Sequence, residues 1–345
     1  MRILVFGAGA IGGYVGALLA RAGHDVTLVA RGAQLAALRA GPLEVAWADG
    51  RAWSVPVRAA AAEALGEPYD LVFVTLKSNQ LAAAAADLAR LVAADGSLVM
   101  IQNGLPWWYF ERIDSPWRDA RIDCLDRDGT LARTIPLDRV VGAVIHKPVT
   151  ATAPGRLFVP PVDADRLIVG EVDGRPSDRL DRIAALIGAA GLPTEPTGDI
   201  RAAKWRKLLI NLVWNPLCTV TQSAPGHIAA RPAGAALARR LLEEGAAVAR
   251  AVGVDVRVDA EAELRRVQGN FRQQPSMVQD VRAGRPLELD AIVHAVVALA
   301  RVAGIAVPTL ETVGACVDLL DARVREDGVS IAPAPVGAPR RAEPG

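Results

Sequence analysis

Two clusters of residues have the spacing to do chemistry. The first is Gly7-Ala8-Gly9-Ala10-Ile11-Gly12, which fits G-x-G-x-x-G. Three glycines so placed between a strand and a helix suit a dinucleotide. The first permits a tight turn, the second lets a pyrophosphate approach the backbone, and the third lets helix and strand pack closely. The phosphates would sit at the helix N-terminus, where unpaired N–H groups and the dipole favour an anion. A glycine-rich turn that serves packing alone is the alternative, and it does not need three glycines at these intervals. The flanks agree with a nucleotide loop: Arg2 to Phe6 reads as a buried strand, Ala10 to about Ala22 as a helix ended by Gly23, and Val26 to Ala30 as a second strand. An NAD site usually carries Asp or Glu at the end of that second strand, to bond the ribose hydroxyls. This chain has Val29-Ala30-Arg31 there. Arg31 can hold a 2′-phosphate with a charge-assisted fork, so NADP is preferred over NAD; its other reading is a solvated loop arginine.

The second cluster lies in Trp205-Arg206-Lys207-Leu208-Leu209-Ile210-Asn211-Leu212-Val213-Trp214-Asn215-Pro216-Leu217. Lys207, Asn211 and Asn215 recur at i, i+4 and i+8 and share one face of an otherwise apolar helix. Buried polar groups need partners, so this stripe either meets a ligand or satisfies itself within the core. Trp205 and Trp214 read as core. Lys77 and Asn103 each follow an apolar strand, at the carboxyl edge where open α/β sheets bind ligands. For Asn103 a helix-capping role stands equally open. Ser276 opens a helical pattern, where it would bind a carboxylate or serve only as a cap. Glu288 precedes an apolar helix and would bind a ligand or complement the helix dipole.

These residues sit in a chain of 345 residues, 51% of them hydrophobic, enough for two cores. Strands and helices alternate in the N-terminal half: a hairpin around Asp49-Gly50 within Leu43 to Val57, a strand at Leu71 to Leu76, a helix at Gln80 to Val92, strands at Ser97 to Ile101, Val140 to Ile145, Arg156 to Val159 and Arg166 to Val169, and a helix at Ser177 to Ala190. This predicts an α/β fold with a Rossmann-type doubly wound sheet over residues 1–198, followed by an all-helical domain over 199–328. Gly191-Leu192-Pro193 and Pro196-Thr197-Gly198 read as the linker, Glu111 to Arg139, aperiodic apart from a short Leu131 to Ile135 stretch, as an inserted loop or small excursion, and 329–345 as a disordered tail. Lys plus Arg total 39 against 38 Asp plus Glu, which gives no electrostatic case for nucleic acid or an anionic membrane. Cys124, Cys218 and Cys316 are far apart, so neither a disulfide framework nor a metal site is indicated. Glycines interrupt the first apolar run and no later run spans a bilayer, so a soluble cytoplasmic protein is expected. A homodimer is left open.

Together the motifs resemble the ketopantoate reductase (2-dehydropantoate 2-reductase) family. The matching stretches are GAGAIGG at the start, Arg31, TLKSNQ around Lys77, QNGL around Asn103, WRKLLINLVWNPL around Lys207, SMVQD around Ser276 and PLELD around Glu288. Seven in this order, from Arg2 to about Leu320, are far more specific than any one. The run after Asn103, LPWWYF, resembles a subgroup with a longer loop. The resemblance implies NADPH-dependent reduction of the ketone of 2-dehydropantoate, a keto acid, to pantoate on the route to coenzyme A. It implies that Lys207 protonates the developing alkoxide and that Glu288 bonds a substrate hydroxyl and positions Lys207. It places Asn211 and Asn215 on substrate hydroxyls, Ser276 on the carboxylate, and Asn103 between substrate and nicotinamide. It places Gly7, Gly9, Ala10, Ile11, Gly12, Arg31, Lys77, Gln80 and Asn103 on NADP(H). Two departures bear on the keto substrate: Gln273 stands where shorter members have asparagine, and the 111–139 insertion is extra. The rival readings are a sister reductase of another 2-oxo acid or of a 3-hydroxy acid, and a non-catalytic NADP sensor. The Lys-Asn-Asn stripe disfavours the 3-hydroxy acid plan, and retention of Lys207 and Glu288 disfavours the sensor.

Overall fold

The computed structural model describes residues 1–118, 120–161, 165–331 and 333. It contains two compact units, Met1–Leu208 with Val252–Asp255, and Leu209–Ala251 with the described residues from Val256 onward.

The first unit is built on an eight-stranded sheet. Its strands are β1 (Arg2–Phe6), β2 (Asp25–Val29), β5 (Arg58–Ala60), β6 (Tyr69–Val74), β7 (Val92–Met100), β8 (Val140–His146), β11 (Arg166–Glu171) and β12 (Thr194–Pro196), in the order β12-β11-β8-β7-β6-β1-β2-β5. Every neighbouring pair is parallel except β8 with β11. A parallel sheet needs both faces covered, and the alternation along each strand shows how. Ile3 and Val5 of β1 face one core with α1 (Ala10–Arg21) and with Leu180, Ile183 and Ile187 of α5 (Asp178–Ala189). Leu4 and Phe6 face the other, with Leu81, Leu88 and Leu91 of α3 (Leu81–Leu91). Ser177 caps α5 by accepting from the Leu180 N–H. The expected hairpin forms as β3 (Leu43–Trp47) and β4 (Ala52–Val55). It joins β10 (Arg156–Val159) and β9 (Thr150–Ala153) in a second, four-stranded sheet.

Three expectations change. Residues 191–198 are not a plain linker: Thr194–Pro196 is the edge strand β12, hydrogen-bonded parallel to β11. Proline is tolerated there because an edge strand leaves one side of its backbone unpaired. The described residues of the 111–139 insertion are not loop throughout. They carry α4 (Thr130–Thr134), and Leu131 and Ile135 are buried in the core with α3. The short Leu131 to Ile135 stretch overlaps this helix, which two inward side chains fix without a full amphipathic period. A helix absent from the sequence reading, α2 (Gly32–Ala40), buries only Leu38, too little for an amphipathic pattern.

Helix α6 (Ile200–Thr221) begins in the first unit and continues into the second. The regular elements among the described residues of the second unit are helices: α7 (Pro225–Ala229), α8 (Pro232–Ala251), α9 (Ala260–Val267), α10 (Ser276–Arg282), a π-helical turn at Asp290–His294, α11 (Ala295–Ala303) and α12 (Pro308–Asp327). Proline at N1 of α12 and glycine with positive φ after it, Gly328 at φ 64°, mark both ends as local rules require. Residue 332 and residues 334 onward of the expected tail lie outside the described residues; within it, the Val329 N–H donates to Arg323 O and the Ile331 N–H to Val281 O.

Candidate active site

The glycine loop joins β1 to α1. Gly7 has φ +113°, which an L side chain rarely adopts, and its carbonyl accepts the Thr75 hydroxyl at 2.6 Å. A Cβ on Gly12 would lie 2.1 Å from that carbonyl oxygen and 2.3 Å from Thr75 Oγ1, so the helix reaches the loop only because residue 12 is glycine. At Gly9 the opposite holds: a Cβ would meet no atom within 4 Å. The open space there is what a pyrophosphate approaching the backbone requires. Beyond it, Ala10, Ile11 and Gly12 open a helix of 12 residues, so their N–H groups lie among its four unpaired donors. The loop therefore fits a dinucleotide phosphate. Thr75 and Gln34 escaped the sequence reading. Gln34 Nε2 donates to Ala8 O at 2.8 Å and its Oε1 accepts from the Gly155 N–H at 2.9 Å.

Arg31 follows β2 and is exposed, in the N-cap position of α2 without a side-chain capping bond. Its exposure leaves the guanidinium accessible from solvent. Arg31→Ala is expected to weaken NADPH binding by about 10- to 100-fold, the worth of a charge-assisted hydrogen bond, and to leave NADH nearly unaffected. Fluorescence titration with both nucleotides checks this, and equal losses for the two would remove Arg31 from the 2′-phosphate. Lys77 begins the short 3₁₀ turn Ser78–Gln80, and Gln80 Oε1 accepts from the Lys77 N–H at 3.2 Å. Part of Gln80 thus serves the turn.

At the carboxyl ends of β7 and β8 the structure brings Lys207 and Asn103 together. Lys207 Nζ donates to Asn103 Oδ1 and to Ile145 O, both at 2.8 Å. No helix starts after Asn103; the chain turns through Gly104 at φ +75°. The capping reading of Asn103 is thereby removed. Gln102 was not singled out by sequence, yet its Nε2 bonds Val74 O at 2.8 Å and Leu76 O at 3.3 Å, tying this turn to the end of β6. Two further neighbours were missed. Lys204, one turn before Lys207 on α6, is buried and donates to Gln102 O and Ala143 O. His146 ends β8, and burial first, then the charge of Lys207, push its pKa from 6.5 down to about 4.

His146 is therefore neutral at neutral pH. An unfolded chain binds more protons at this residue between pH 6.5 and 4, so its contribution to stability is present above pH 6.5 and is lost as pH falls toward 4. Thermal melts across that window should show a steeper loss for the wild type than for His146→Gln. Parallel curves would mean that His146 is not buried against a cation.

In the second unit Asn211 and Asn215 project from α6. Asn215 is 3% exposed, and its Nδ2 finds no acceptor among the described residues. A buried amide left unpaired fits the ligand side of the alternative better than mutual satisfaction within the core. Ser276 is exposed at the first position of α10, where Pro275 is the N-cap and no side-chain cap forms, so Ser276 is not the cap. Glu288 is 8% exposed in the turn before the π-helical segment, whose own first-turn acid is Asp290. Trp205 is fully buried, as expected, with its indole N–H on Tyr109 Oη at 2.6 Å. The described residues hold no group of three or more metal-ligating side chains, and no helix among them is long and apolar enough to cross a membrane.

Comparison with known proteins gives the same grouping. The family model described as Ketopantoate reductase PanE/ApbA matches residues 3–107, and the one described as Ketopantoate reductase PanE/ApbA C terminal matches 199–321. A 2-dehydropantoate 2-reductase of Mesorhizobium japonicum is 38% identical over 319 residues, 92% of this chain and 97% of its own. A crystal structure described as a ketopantoate reductase of Ralstonia solanacearum MolK2 is 35% identical, covers 95% of this chain and 99% of its own, and superposes with a TM-score of 0.87. The 2-dehydropantoate 2-reductase of Geobacter metallireducens GS-15 is 29% identical, with coverage of 92% and 99% and a TM-score of 0.80.

Proposed function

The chain belongs to the ketopantoate reductase family of oxidoreductases, and from that premise we propose that it reduces the 2-keto group of 2-dehydropantoate to pantoate with NADPH, on the route to pantothenate and coenzyme A. The observation that carries the reading is Lys207, held at 2.8 Å on both Asn103 Oδ1 and Ile145 O at the carboxyl edge of the sheet. Open α/β sheets bind their ligands at that edge.

When bound, the reduced nicotinamide supplies the hydride. The chain supplies everything else. Lys207 hydrogen-bonds the ketone oxygen and gives it a proton as negative charge develops there. A cation so placed stabilises charge that grows only toward the transition state. Asn103 orients the Lys207 ammonium through its Oδ1 and lies against substrate and nicotinamide. Residues Gly7, Gly9, Ala10, Ile11 and Gly12 hold the pyrophosphate, Arg31 the 2′-phosphate, and Lys77 and Gln80 the remainder of the nucleotide. Asn211, Asn215, Ser276 and Glu288 take the substrate's hydroxyl and carboxylate groups, as in the family pattern. In this reading residues 1–198 carry the cofactor and 199–328 the substrate.

A second reading, another 2-oxo acid on the same machinery, is favoured by one observation. Gln273, which replaces the asparagine of shorter members, is exposed and paired with Asn270: Asn270 Nδ2 donates to Gln273 Oε1 at 2.8 Å, and the Gln273 N–H donates to Asn270 Oδ1 at 3.2 Å. The deciding experiment follows NADPH oxidation by the purified protein with 2-dehydropantoate beside a panel of 2-oxo acids. A kcat/KM for 2-dehydropantoate well above the rest supports the first reading. Preference for another acid keeps the reaction and replaces the substrate, and NADPH binding without turnover of any keto acid overturns both.

A further inference from the structure

Lys204 has no role in the account so far, and its surroundings are unusual for a lysine. It is 3% exposed, and no carboxylate pairs with it among the described residues. Its ammonium donates to two backbone carbonyls, Gln102 O and Ala143 O, each at 3.2 Å. Burying a charge without a counter-charge is costly, and a second cation one helical turn away adds to the cost. Burial and then Lys207 bring its pKa down from 10.5 to about 7. A methionine of similar length would fill the space without this penalty. Rules of this kind are broken chiefly where function needs it.

The two carbonyls suggest the need. Strands β7 and β8 pair only as far as Met100 and Gly142. Past that point β8 continues to His146 on β11 alone, leaving its β7 side without a strand partner. Ala143 and Ile145 are two residues apart on β8, so their carbonyls project to the same side. Lys204 and Lys207 are three apart on α6 and share a face. Each lysine thus bridges β8 to the turn after β7: Lys204 joins Ala143 O to Gln102 O, and Lys207 joins Ile145 O to Asn103 Oδ1. We propose that Lys204 is a positioning residue for the reduction, clamping the two backbone segments that carry the Lys207 acceptors Asn103 Oδ1 and Ile145 O. The proposal rests on the reading of Lys207 as the proton donor.

The long segment after Asn103 completes the clamp. The Trp108 ring, fully buried, lies 5.8 Å from Lys204 Nζ and 5.7 Å from the Arg201 guanidinium carbon, close enough for its face to favour a cation. Arg201 in turn donates to Tyr109 O at 2.6 Å and to Glu111 O at 2.7 Å, fastening that segment to α6.

The test uses Lys204→Met in the full chain, alone and with Lys207→Ala. The single variant should lose about 10- to 100-fold in kcat, the effect of a small misplacement of a catalytic group, while KM and NADPH affinity stay near the wild type. In the Lys207→Ala background the same change should cost less than about twofold, because residues acting through one group are not additive. A crystal structure of Lys204→Met gives a readout independent of turnover: the Lys207–Asn103 contact should be broken or lengthened past hydrogen-bond range. Should Lys204→Met not fold, Lys204→Gln, whose shorter side chain falls short of the two carbonyls, is held to the same criteria. Wild-type kcat, or an unmoved Lys207–Asn103 contact, overturns the proposal. A wild type that reduces no keto acid overturns the reading of Lys207 instead, and the crystal structure still decides the clamp.

Discussion

Lys207→Ala should reduce kcat for NADPH-dependent keto-acid reduction by about 10²- to 10⁴-fold, the range that a positioned general acid contributes. NADPH affinity should change far less, because a proton donor acts on charge that develops in the transition state and not on the bound ground state. The variant leaves Asn103 Oδ1 and Ile145 O without their donor. Ile145 is buried and Asn103 half-buried, so the fold should lose about 1–3 kcal/mol. Steady-state kinetics with a nucleotide titration and a thermal melt separate these outcomes. A variant that keeps its kcat, or that loses nucleotide binding in step with turnover, would remove Lys207 from the role of acid.

The second large effect concerns the glycine loop, where two neighbouring substitutions should behave differently. In Gly12→Ala the new Cβ would fall 2.1 Å from Gly7 O and 2.3 Å from Thr75 Oγ1, both within a packed strand-to-helix joint. Loop and helix must separate, at about 1–3 kcal/mol of stability for an overpacked site, and nucleotide affinity should fall about 100-fold or more. Gly9→Ala meets nothing within 4 Å, so the protein should melt as the wild type does. Its methyl group would occupy the approach of the pyrophosphate, and nucleotide affinity should still fall by about tenfold or more. Differential scanning fluorimetry with and without NADPH reads both. If Gly9→Ala binds NADPH normally, the open space at Gly9 is not the phosphate site.

Local interactions are legible in the sequence and long-range ones are not. The strand β1, the loop, α1 and β2 were legible because their signals are local: a buried run, three glycines, a helix with a glycine stop. The face of α6 was legible because helical spacing alone aligns Lys207, Asn211 and Asn215. The partners of those residues were not. Nothing near Lys207 in the chain indicates that it meets Asn103 and Ile145, 104 and 62 residues away. Thr75 follows a strand like many threonines, and only the sheet pairing of β1 with β6 brings it onto the Gly7 carbonyl. Lys204 hid beside a more conspicuous lysine. Its one signal was the i, i−3 spacing to Lys207, which would have placed it on the same face. Strand β12 is masked by Pro193 before it and Pro196 within it, residues that usually argue against a strand and here mark an edge. In the insertion the Leu131 to Ile135 stretch stands out from its charged surroundings, but its burial in the core with α3 is a long-range contact that so short a stretch does not announce.

The most direct test of the central claim, reduction of a 2-keto carbon with a proton from Lys207, is to follow the hydrogen itself. The purified protein is given 2-dehydropantoate and NADPH deuterated at the transferable nicotinamide position, and the product is analysed by mass spectrometry and proton NMR. The account predicts pantoate with one deuterium at C2, formed in step with NADPH oxidation and nearly abolished in Lys207→Ala. Pantoate without deuterium, no pantoate, or equal labelling rates in wild type and Lys207→Ala would contradict it.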